Sequence, residues 1–425
     1  MTIKKIFSQV PKLTTLAISL SLLSACGSDP ITEETDPIIP PTSERENPEV
    51  CTQATGSTVN QAALLTAFCN NLSDYNLFSD ATDPTTGPNG RGIPFNLNTP
   101  LYTDYASKYR FVFVPDGETA TYNEHEVMDF PVGTVLVKTF ALPDDTSNRE
   151  GSETIIETRL LINRETGWVA LPYYWDKDND ASYLIGGEII PVSLVHKGET
   201  ISFDYGIPQK TQCTQCHSII PGPNTDEIFS VFKPIGPKAR FLNNVYDYES
   251  GSENQLTYWE NQNILTGAPA DKTTITTAST FTDNIDPTTL SDVELNLHAR
   301  SYLDINCAHC HRSELTVSEA GYTGAAGRSG LHLEFNRDFD EADAKFGVCK
   351  GPAAGGYTDP SGKKYIYDVV PGYPDESYLA FRMDTNIARQ RMPELGRSTI
   401  HTEGVALIKE WIDRMPANSC GIEGL

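Results

Sequence analysis

From about residue 98 to residue 205, apolar residues fall in short alternating or continuous runs broken by turn-forming clusters, the pattern of strands that bury one face. The clearest runs cover 109–114, 132–140, 154–162 and 168–171, with turns at 115–119, 144–152 and 176–180. Further along, the period lengthens to that of a helix. Leu295, Ala299, Tyr302 and Leu303 share one face behind a capping box from Ser291 to Glu294. Val405, Ile408, Trp411, Ile412 and Met415 form a second stripe, with Glu403 near its start. A shorter helix-like stretch covers 61–72.

The first residues follow neither period. Lys4, Lys5 and Lys12 precede an apolar run over 16–23 that ends in Ser24-Ala25-Cys26, the layout of a signal peptide and not of a spanning helix. Leu23-Ser24-Ala25-Cys26 resembles a bacterial lipobox, which implies cleavage before Cys26 and lipid on that cysteine. Gly27 after it, by the same resemblance, directs the protein to the outer membrane. From 26 to 50 the chain is rich in Pro, Thr and Glu without apolar periodicity, so an extended, disordered acidic tether is expected. Four segments result: a signal peptide (1–25), the linker (26–50), a β-rich part (51–284) and a helical part (285–425). The formal charge of −25 makes nucleic acid a poor partner. It would steer a basic redox protein or a cationic substrate toward the chain, and plain solubility also accounts for it.

The chemistry lies in two pentapeptides, Cys213-Thr214-Gln215-Cys216-His217 and Cys307-Ala308-His309-Cys310-His311. Cys-x-x-Cys-His is the attachment signature of c-type haem: two thiols add across the porphyrin vinyl groups, and the next histidine is placed under the ring to ligate iron. With nine cysteines and eight histidines in 425 residues, roughly one chance match is expected in a few hundred such chains. The plainer alternatives are a zinc site built from the two Cys-x-x-Cys pairs, or a redox dithiol. Export argues against both. The remaining Cys51, Cys69, Cys349 and Cys420 form two disulfides in an oxidising compartment. Of the three connectivities, Cys51 with Cys69 and Cys349 with Cys420 is preferred, although sequence leaves the choice open.

His217 and His311 are therefore the expected axial ligands of two haems. For the second, Met392 in Arg391-Met392-Pro393-Glu394-Leu395-Gly396 is the expected sixth ligand, with Met383, His332 and His401 as rivals. A His/Met pair raises the potential and leaves no open position. For the first haem, His125, Met128, His196 and His298 are the donors at hand, and either one of them completes it or the iron stays open. His309 reads as a rim residue of its own haem. Lys238, Arg240 and Arg300 are cations suited to haem propionates.

The helix before the second pentapeptide, the methionine loop and the closing amphipathic helix resemble a class I cytochrome c. The whole chain is similar to a family of bacterial di-haem c-type cytochrome lipoproteins. The similar stretches are 72–78, 97–106, 137–140, 157–161, 236–240, 299–306 and 371–374. The resemblance implies an α+β protein in which a β-rich N-terminal haem domain precedes an all-α class I cytochrome c-like domain. It also implies two covalently bound haem c groups, an envelope location facing the periplasm, and electron transfer with a periplasmic redox protein or oxidoreductase. Two other function classes stay open: a di-haem enzyme, peroxidase-like or a small-molecule reductase, with an open first haem, and a haem-based sensor or scaffold.

Overall fold

The alternating runs fold into an antiparallel meander, Ser107–Phe113, Val135–Pro143, Glu153–Arg164 and Gly167–Trp175. Ile93–Pro94 and Ala181–Tyr183 complete the six-stranded sheet at its two edges. The computed structural model describes residues 47–425 apart from 53–55, 150–151, 177–179, 222–230, 313–321, 325, 339–342 and 354. The expected signal peptide, Cys26 and nearly all of the expected linker lie outside the described residues.

Strand alternation gives the sheet two faces of different character. One face, with Phe111, Val137, Leu160, Ile162, Leu171 and Tyr173, packs against Leu64, Phe68, Leu72 and Tyr75 of the preceding segment. That segment holds a six-residue helix, Gln61–Thr66, capped by Asn60, and the Cys51–Cys69 disulfide fastens it. On the other face, Val112, Leu136 and Leu161 join Met128, Phe130 and Trp259 at one end. At the other end Phe140 joins Leu194, Tyr205 and Ile207. Between these two apolar patches lies a single row of cations, Arg110 opposite Lys138 opposite Arg159.

A hairpin, Glu188–His196 with Glu199–Ile207, leads out of the sheet region into the eight-residue helix Lys210–His217. In the C-terminal third, Ser291 and Glu294 exchange the two hydrogen bonds of a capping box and start the helix Asp292–Leu303. Its Leu295, Ala299 and Leu303 pack on Leu407, Ile408 and Ile412 of the final helix, Thr402–Asp413. Trp411 Nε1 donates to Asn296 Oδ1 at 3.1 Å across that contact.

The expected all-α C-terminal domain is not found. Besides those two helices, the described part of 285–425 holds only the short helix Tyr378–Met383, a π turn at Asp304–Ala308, isolated 3₁₀ turns and short strands at Tyr322–Gly324, Tyr357–Thr358 and Lys364–Tyr365. The physical reason lies between 326 and 377. Gly330, Gly347, Gly355, Gly356, Gly362 and Gly372 all take positive φ there, and Pro352, Pro360, Pro371 and Pro374 remove backbone donors. Such a segment cannot run as helix, and the Cys349–Cys420 disulfide ties it to the chain end.

A buried polar seam joins the sheet region to the C-terminal third. The Asp104 carboxylate accepts from the backbone N–H of Ser398 and of Thr399, both at 2.7 Å, and Tyr102 Oη lies 2.6 Å from Thr399 Oγ1. Asp304 receives Lys238 at 3.0 Å and Arg240 at 2.9 Å, with all three side chains buried. The described residues fall in one compact unit.

Candidate functional site

The helix Lys210–His217 sets Cys213, Cys216 and His217 at positions i, i+3 and i+4, so the two thiols and the imidazole share one helical face. The second pentapeptide continues the Asp292–Leu303 helix through the π turn. Cys310 and His311 each donate a backbone N–H to the Cys307 carbonyl, at 3.1 and 2.9 Å, which gathers the same three side chains on one turn.

In both pentapeptides the imidazole is held at Nδ1. His217 Nδ1 lies 2.7 Å from the Lys233 carbonyl oxygen, and its ring stacks on Phe232. His311 Nδ1 lies 2.9 Å from Ser329 Oγ. An Nδ1–H given to an oxygen fixes the tautomer and leaves Nε2 with a lone pair, the arrangement of a histidine that binds a metal. Burial pushes both imidazoles down to about 4, so both are neutral near pH 7.

All four pentapeptide thiols are unpaired, whereas Cys51, Cys69, Cys349 and Cys420 are taken up in disulfides. The two pentapeptides, far apart in sequence, meet. Donor atoms of Cys216, His309 and Cys310 lie within 4.8 Å of one another, and Cys310 Sγ approaches the Gln215 carbonyl oxygen at 3.4 Å. A hydrogen bond from Cys310 pulls the Cys216 thiol down to about 4 and pushes its own up. Burial raises Cys213 and takes Cys307 up to about 12.

Three cavities adjoin this meeting point. The largest, about 790 Å³, has Cys307, Cys310 and His311 on one wall and Met383, Met392 and His401 among its other lining residues. That volume is within the roughly 300–1,000 Å³ usual for cofactor pockets. A cavity of about 170 Å³ lies between Cys213, Cys216 and His217 and the sheet face that carries Arg110, Lys138 and Arg159. A third, of about 290 Å³, has His217, Met128, Lys238 and Arg312 in its wall. Cys216 and His309 line all three.

Of the expected ligands, Met392 stands in an irregular loop at the wall of the large cavity, while Met383, which also lines it, ends the helix Tyr378–Met383 and is part of the apolar core. His332 is turned to Arg337, 3.1 Å away, and does not line that cavity. His401 lines it, but Tyr302 Oη lies 2.9 Å from its Nδ1 and Tyr102 stacks on its ring. Around the first pentapeptide, Met128 lies near His217 in a cavity wall and His125 is exposed. His196 is bound to Glu403 at 3.0 Å, and His298 lines none of the three cavities.

The three cations expected to face propionates are committed elsewhere. Lys238 and Arg240 hold Asp304, and Arg300 donates to the carbonyl oxygens of Phe335 and Arg337. Sequence reasoning missed the row Arg110, Lys138 and Arg159, the contact between Cys216 and Cys310, and a second acid–histidine group. In that group Asp283, His401 and Glu403 lie within 4.8 Å. Arg149 sits on Asp283 at 3.3 Å and Lys197 on Glu403 at 2.5 Å, so its charge is balanced by the chain itself.

No family model, curated protein or solved structure matches the chain. Among the described residues no helix is long and apolar enough to cross a membrane.

Proposed function

We propose that this protein is a di-haem c-type cytochrome that passes electrons between redox partners, with haem c attached at Cys213 and Cys216 and at Cys307 and Cys310. One observation carries the reading: each Cys-x-x-Cys-His presents two free thiols and a neutral imidazole tied at Nδ1 to the wall of a cavity, while every other described cysteine is in a disulfide. His217 and His311 would be the axial ligands on one side. Met392 would complete the second iron, because it is the methionine on a loop and not in the core. The bound groups would supply one-electron chemistry. The chain's own part is to exclude water from them, to fix their separation through the Cys216–Cys310 contact, and to set their potentials by charge.

Beyond the described residues, the lipobox-like sequence supports lipidation at Cys26 and an envelope location, facing the periplasm and tethered to the outer membrane. The partner would be a periplasmic redox protein or oxidoreductase with a basic contact surface, given the charge of −25.

A second reading has its own observation. Among the described residues no methionine lines the cavity beside Cys213, whose histidines are His217 and His309, and Met128 lines the adjoining cavity instead. That favours an enzyme, peroxidase-like or a small-molecule reductase, in which the first iron keeps an open position. Both readings are tested on full-length protein matured in a host competent for cytochrome c assembly. The expected result is an intact mass with two added macrocycles and visible spectra of low-spin haem. Carbon monoxide binding by one reduced haem would select the enzyme. Colourless protein at the bare polypeptide mass, with zinc bound at Cys216, His309 and Cys310, would overturn both.

A further inference from the structure

Three cations face one another across three adjacent strands. Arg110, Lys138 and Arg159 are direct register partners, and like charges placed opposite each other weaken a sheet. Local acids do not explain them. Among the described residues Glu157 is the one carboxylate bound in the row, and its oxygens are taken by Arg159, at 2.7 and 2.5 Å, and by Tyr205 Oη at 2.7 Å. Arg110 is 7% exposed, and among the described residues its Nη1 reaches only the Lys108 carbonyl oxygen at 3.3 Å and its Nη2 is buried without a partner. Lys138 forms no ion pair among the described residues, and its ammonium rests over the Phe140 ring at 4.6 Å. Two positive charges are therefore left uncompensated. A buried guanidinium nitrogen without a partner carries a desolvation cost that a bound anion would remove.

The row does not point into solvent. All three side chains line the cavity whose opposite wall holds Cys213, Cys216 and His217, and the lining between is apolar, with Leu97, Leu136, Leu161 and Ile235. At about 170 Å³ this cavity alone is smaller than a usual cofactor pocket, but the adjoining one of about 290 Å³ shares Cys216, His217, Ile235 and His309 with it, and a group that takes both spaces would be largely apolar, fixed at the thiols, with carboxylates toward the cations. Burial, and then the neighbouring cations, hold the Lys138 ammonium well below its usual range, and burial lowers Arg110 to about 10. An anion between them would reverse both effects.

We infer that Arg110 and Lys138, with Arg159 beside them, form the seat for the propionates of the porphyrin attached at Cys213 and Cys216. The inference rests on the di-haem reading and names a different anchor from Lys238 and Arg240, which Asp304 occupies. A cation at this seat favours the reduced iron, which carries one positive charge fewer, so its removal lowers the potential of the first haem.

The test uses holoprotein of the wild type and of Lys138→Met, Arg110→Gln and Lys138→Arg. Intact mass first establishes two macrocycles in each, and redox titration with resonance Raman spectra follows. In Lys138→Met and Arg110→Gln the potential of one haem falls while the other stays, and the propionate bending mode of that haem shifts. Lys138→Arg keeps the wild-type values. If Arg110→Gln fails to fold, Lys138→Met with its arginine counterpart decides the matter alone. Unchanged potentials and an unchanged propionate mode, with both macrocycles attached, overturn this assignment and leave the di-haem reading standing. A potential that responds to added acetate in the wild type but not in Lys138→Met also overturns it, because the seat then takes a free carboxylate. A wild-type mass without a macrocycle at Cys213 and Cys216 is the separate outcome that removes the parent reading.

Discussion

The two pentapeptides share a spelling and a histidine held at Nδ1, and differ in what surrounds them. The first lies on a short helix with no fully buried residue and looks across a small cavity at a sheet face that carries three cations. The second is wound into a buried helical turn and opens on a cavity more than four times larger, with a methionine on the loop opposite. On the proposed reading, a single attachment chemistry would have two surroundings. One would offer charge to tune an iron, and the other a thioether and apolar cover. Two haems so placed would differ in potential, which gives the transfer between them a direction.

The most severe way to break this comparison is to remove one attachment at a time. Cys307→Ala with Cys310→Ala is expected to lower the intact mass by one macrocycle and to abolish the methionine-ligated spectrum. Cys213→Ala with Cys216→Ala should lose the same mass and retain that spectrum. Identical spectra from the two variants would show that the surroundings do not distinguish the sites.

A smaller effect comes from the contact that binds the two regions. Asp304→Ala leaves Lys238 and Arg240 buried without their carboxylate, and breaking such a pair costs on the order of 3–5 kcal/mol. Denaturant unfolding should show the loss as a lower midpoint for the whole chain. A loss confined to one region would mean that the two unfold separately.

Acid sharpens the comparison further. The imidazoles of His217 and His311 are each lowered to about 4 by burial, against about 6.5 in an unfolded chain. The unfolded state binds more protons between those values, so stability is complete above about 6.5 and falls as the pH drops toward about 4. Unfolding of the haem-free chain followed across that window should show the decline, and in the holoprotein, where iron would occupy each Nε2, the decline should be absent. His217→Gln and His311→Gln should each flatten part of it. The smallest effect belongs to Ser291→Ala, which removes the cap of the helix leading to the second pentapeptide and should cost about 1 kcal/mol in thermal unfolding.

What could be read from the sequence was local. Alternation over 109–114 and 154–162 was enough to find strands, because the sheet buries one face against the Gln61–Thr66 segment. Ser291 and Glu294 announced a helix for the same local reason. The all-α expectation failed because two sound helices were extended into a family pattern, across a stretch whose glycines and prolines forbid it. The row Arg110, Lys138 and Arg159 could not be seen either. Each residue alternates properly within its own strand, and only the register between strands puts them side by side. The same holds for Cys216 and Cys310, whose meeting is a product of tertiary folding.

The polar seam from Asp104 to Ser398 and Thr399, and from Asp304 to Lys238 and Arg240, bears on timing. Stitched in this way, the described residues around the two pentapeptides belong to one compact unit, so on the proposed reading the gap an electron would cross is held fixed in the native state. Internal hopping would then be indifferent to solvent viscosity, and the pace of the whole relay would be set by collisions at its surface.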